Sequence, residues 1–69
     1  MGLMQILEDY VKEAFHAVSS DELVNVTVYH GYEPAQARGA VGSAVRLRHL
    51  QVVDTVSIKG RKVNFFQYQ

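Results

Sequence analysis

A chain of 69 residues buries only about 60% of the surface its unfolded form exposes, so the sequence has room for one domain, residues 1–69, and no more. With no cysteine it has neither a disulfide staple nor a thiolate zinc site, and with 48% apolar and 20% charged residues it is composed like a folded protein. The net charge of zero conceals an asymmetry: residues 1–33 carry one base, Lys12, against six acids, and residues 34–69 carry six bases against one acid, Asp54. Such a division suits a polyanion-binding second half. It also suits two solvated faces that attract each other across the fold.

From Leu3 to Phe15 apolar residues recur at spacings of three and four, with acids between them, which predicts an amphipathic helix. Glu8, Asp9, Lys12 and Glu13 interrupt this stretch, so it is neither a secretory leader nor a membrane span, and a cytoplasmic protein is expected. Ser19-Ser20-Asp21-Glu22 then spells a capping box. In it Ser19 accepts from the Glu22 amide and Glu22 reaches back to the Ser19 amide, which starts a second helix over 21–30. The body of that helix, Leu23 to Tyr29, alternates like a strand and is rich in β-branched residues, so a strand there is the competing assignment.

Gly31 supplies a left-handed cap, and Pro34 fits the first turn of a third helix over 34–50. Ala37, Val41, Ala44, Leu47 and Leu50 form its inner stripe, and Arg38, Gly39, Gly42, Ser43, Arg46 and His49 form its outer side. Two β-prone runs follow, 52–58 and 62–68, joined at Lys59-Gly60-Arg61 as a hairpin. The fold class is therefore α+β, with three helices followed by a C-terminal hairpin.

This order, carried by Ser19 to Leu50 and by Val52 to Tyr68, resembles the winged helix-turn-helix family of DNA-binding domains. Gly31 stands as the turn glycine and Ala37 and Ala40 as the apolar points of the second helix of the motif, whereas Thr27 occupies a position where the family prefers alanine or glycine. The resemblance implies a recognition helix over 34–50 in the major groove and a wing at 59–62 on the backbone or in the minor groove. Arg38, Ser43 and Arg46 have the donors for base edges or phosphates, with Arg48 and His49 nearer the groove edge. Gly39 and Gly42 would let the helix backbone approach the duplex, unless they serve close packing of one helix on another. At the hairpin, Lys59, Arg61 and Lys62 would lie on phosphates, unless they belong to an ordinary solvated turn that protects a sheet edge.

Other chemistries find little footing. His16, His30 and His49 have no helical partner at metal-ligand spacing, Gly39-Ala40-Val41-Gly42 lies within a helix rather than between two, and no nucleophile elbow or phosphate loop is present. We expect no enzyme activity, metal, cofactor or small-molecule ligand. The expected partner is duplex DNA, with self-association as a homodimer through the first helix or the aromatic C-terminal strand (Val63, Phe65, Phe66, Tyr68). The rival function is a protein-interaction module whose acidic helix (Glu8, Asp9, Glu13) docks on a basic surface. A rival fold makes Val24 to Tyr29 a strand in a three-stranded sheet with no helix-turn-helix.

Overall fold

The computed structural model describes residues 2–69. Three helices, α1 (Leu3–Glu13), α2 (Ser20–Tyr29) and α3 (Pro34–Arg46), are joined by a short strand β1 (Val18–Ser19) between the first two and followed by the hairpin β2 (Leu50–Ile58) and β3 (Arg61–Tyr68). The α+β arrangement of three helices and a C-terminal antiparallel hairpin is consistent with a winged-helix-like layout. Its sheet has the order β1-β3-β2, because Val18 and Ser19 pair with Phe66 and Phe65 on the far side of β3 from β2.

The core gathers one or two side chains from every element: Leu7 and Val11, Val18, Leu23, Val41 and Ala44, Leu50, and Phe66. α1 ends at Ala14, whose extended backbone leaves Phe15 fully exposed rather than on the buried stripe. Residues 20–29 are helical despite their β-branched run, which sets aside the strand assignment. The Ser19 hydroxyl accepts from the Glu22 amide at 3.1 Å, so one half of the capping box forms. The other half is replaced, since the Glu22 carboxylate accepts a hydrogen bond from the Tyr10 hydroxyl on α1. Thr27 is fully buried, and its hydroxyl donates to the Leu23 carbonyl at 2.8 Å; this local bond lets a polar residue stand where a smaller apolar one is usual.

Gly31 adopts φ 92° and closes α2 as expected, with the Tyr32 amide returning to the Thr27 carbonyl at 3.2 Å. At the start of α3 the Glu33 amide donates to the Gln36 side chain at 2.8 Å, ahead of Pro34.

α3 is one turn shorter than its apolar stripe implies. Arg48 enters the left-handed region at φ 65°, the His49 amide donates to the Ala44 carbonyl at 2.8 Å and the Arg48 amide to the Val45 carbonyl at 3.1 Å. This is the paired arrangement of a Schellman stop, here with arginine in place of the usual glycine. Ala37, Val41 and Ala44 are buried as expected, but Leu47 is 60% exposed, and Leu50 reaches the core from the first position of β2. Four of the five stripe residues are therefore buried, three on α3 and one on β2, and Leu47 is not among them.

In the hairpin, Lys59 and Gly60 both take positive φ, 51° and 78°, the conformation of a two-residue turn that follows the twist of its strands. Val53 forms a bulge, opposing no residue of its own between the pairs Val52 with Phe66 and Asp54 with Phe65. No helix among the described residues is long and apolar enough to cross a membrane.

Candidate nucleic-acid interface

The outer side of α3 is open. Arg38, Gly39, Gly42 and Arg46 are exposed and Ser43 half-buried, and a methyl group added at Gly39 or Gly42 would meet no heavy atom within 4 Å. The glycines therefore do not serve helix packing. Ser43 and Arg46 act together, the guanidinium donating to the hydroxyl at 3.2 Å. Arg48 and His49, expected on the same helix, lie instead in the turn after it. His49 is also engaged: its Nδ1 stands 2.6 Å from the Glu8 carboxylate and ties α1 to that turn.

The hairpin runs beside α3, and a groove of about 350 Å³ separates them. Arg38, Val41, Gly42 and Val45 form one wall, Val52, Asn64 and Phe66 the other, and Ser20 and Val24 of α2 also line it. Ser20 and Asn64 were not foreseen here, because nothing in their local sequence tells that the hairpin lies against α3.

Of the hairpin bases, Lys59 and Lys62 are exposed at the tip. Arg61 is held by Asp21 at the start of α2 in a two-pronged pair, with distances of 2.7 and 3.2 Å. That hydrogen bond, with the positive charges of Arg61 and Arg38, holds the Asp21 carboxyl below its ordinary value, and the same bond raises Arg61 further. Any stability the pair lends is complete above the ordinary aspartate range and is lost as the pH falls through the lowered value. Both groups are exposed, so the contribution is small. Its geometric meaning is larger, because it ties the hairpin tip to the start of α2.

Among the described residues no cluster of His, Asp and Glu is arranged to hold a metal ion. The aromatic tail divides its roles: Phe66 enters the core, whereas Tyr68 stays at the surface with the Lys12 ammonium 5.5 Å from its ring centre. Comparison with family models, with curated proteins and with solved structures returned no match.

Proposed function

We propose that this chain binds duplex DNA in a sequence-specific manner, as a small transcriptional regulator of the kind encoded by bacteria, phages or mobile elements. The outer face of α3 enters the major groove and the hairpin tip follows the neighbouring backbone or minor groove. One observation carries this reading: the slim, open side of α3 and the basic hairpin lie side by side, across a groove lined by Arg38 and Gly42 from the helix and by Val52 and Asn64 from the hairpin. Arg38, Ser43 and Arg46 supply the donors that base edges require, and Lys59 and Lys62 supply charge without geometric demands, which is what phosphates require.

Gly42→Leu tests the placement of the duplex. The added Cβ meets no heavy atom within 4 Å and a helix-weakening glycine is removed, so the domain should be as stable as before or more stable by about 1 kcal/mol. Binding to duplex should fall at least about tenfold, since bulk now stands where the duplex approaches. Unchanged binding, measured by fluorescence anisotropy beside a thermal melt, would move the duplex off this face.

Asp21 opposes binding in this account, because its carboxylate occupies the Arg61 guanidinium and repels phosphate. Asp21→Asn should raise duplex affinity several-fold at low salt. A loss of affinity instead would mean that the Asp21 to Arg61 pair serves by orienting the hairpin.

A further inference from the structure

A second recess lies between α1 and α2, lined by no residue of α3 or the hairpin. Three adjoining hollows of about 180, 420 and 240 Å³ share Tyr10 as a common wall, with Ile6 and Val26 supplying apolar surface. Asp9, Glu13 and Glu22 stand among their lining residues, and no lysine or arginine does. Beside them Phe15 is fully exposed and Tyr29 is 85% exposed. Exposed apolar side chains gathered around one recess, rather than scattered singly, mark an interaction surface, and here Phe15 and Tyr29 line the same acidic, apolar recess.

The matching surface is on the same molecule, in the other half of the chain, whose hairpin tip reaches Asp21 at the start of α2 but lines none of the three hollows. The hairpin exposes Val53, Val56 and Ile58 along β2, and Lys59 and Lys62 at its tip. β2 is also an edge strand, since β3 lies between it and β1. An apolar, basic hairpin complements an apolar, acidic recess in both respects, and this repeats at the level of the fold the opposed charges of the two halves of the sequence.

We propose that the occupant of the α1–α2 recess is the hairpin of a second copy of this chain. Ile58 and Val56 meet Tyr10, Phe15 and Tyr29, and Lys59 and Lys62 meet Glu13, Asp9 and Glu22. The contact is head-to-tail, because the two surfaces that meet are different. Where the DNA reading also holds, the tip lysines serve either a phosphate backbone or a neighbouring copy, so that duplex and self-association compete for the hairpin. That gives DNA binding a control set by the protein's own concentration.

The test uses the protein alone, so its outcome is independent of DNA binding. Sedimentation at low salt should show concentration-dependent association of the wild type, weakened at least about tenfold between about 0.05 and about 0.5 M salt. A recess variant, F15S with Y29S, and a hairpin variant, I58S with K59E and K62E, change exposed side chains only, and each alone should remain monomeric. Mixed, they should associate again, because each retains the surface the other has lost. On dilution of the wild type, amide shifts should change at Tyr10 to Phe15, Val26 to His30 and Val53 to Lys62. A wild type that stays monomeric to about 1 mM, a mixture that fails to associate where the wild type does, or dilution shifts confined to other residues would each overturn the proposal.

Discussion

Leu50→Ala is expected to leave the domain close to unfolded at room temperature, whereas Leu47→Ala should hardly be felt. Leu50 is fully buried, in a core that draws on every element, and truncating such a leucine costs about 2 to 5 kcal/mol. A domain of this length has a total stability of only about 3 to 10 kcal/mol. Leu47, only three residues earlier, is 60% exposed and its loss should stay within about 0.5 kcal/mol. The contrast is diagnostic, because a helix continued to Leu50 would place both leucines on one buried stripe and give them similar costs. Urea unfolding followed by circular dichroism checks it: the midpoint should fall steeply for one variant and not for the other, with the slope unchanged for Leu47→Ala.

Why the sequence suggested the longer helix is visible in the residues themselves. A helix stop is legible when glycine or asparagine takes the left-handed position, and here the residue is Arg48, which bears that conformation at a cost of about 1 kcal/mol and announces nothing. The same holds at the hairpin, where Gly60 marked the turn but Lys59 shares its positive φ. β1 was illegible for another reason. Two residues carry no periodicity, and Val18 and Ser19 are a strand only because Phe66 and Phe65 lie opposite them.

α2 shows the reverse case, in which tertiary packing decides against local preference. Its β-branched run favours a strand, yet the Ser19 cap starts a helix, Gly31 ends it, and burial of Leu23 and Thr27 holds it in place. Of the candidate site, the exposed arginines and open glycines of α3 were legible from helical spacing alone. The engagement of Arg61 by Asp21 and of His49 by Glu8 was not, because each pair joins residues about forty positions apart that only the closed fold brings together.

The central claim, that the basic half of this fold binds duplex DNA, is tested most directly by titrating a random-sequence duplex with the protein at a series of salt concentrations. Arg38, Arg46, Arg48, Lys59 and Lys62 are all exposed, and Arg61 joins them wherever phosphate displaces Asp21. Neutralising about five phosphates releases a matching number of counterions, so the logarithm of the binding constant should fall against the logarithm of salt with a slope of about −4 to −5. Affinity would then drop by roughly two to three orders of magnitude between about 50 and about 200 mM salt. Charge-reversing Lys59 and Lys62 together should make the slope shallower by about 2. Binding with that steep slope is the result the account predicts; a flat salt dependence, or no binding at low ionic strength, would contradict it.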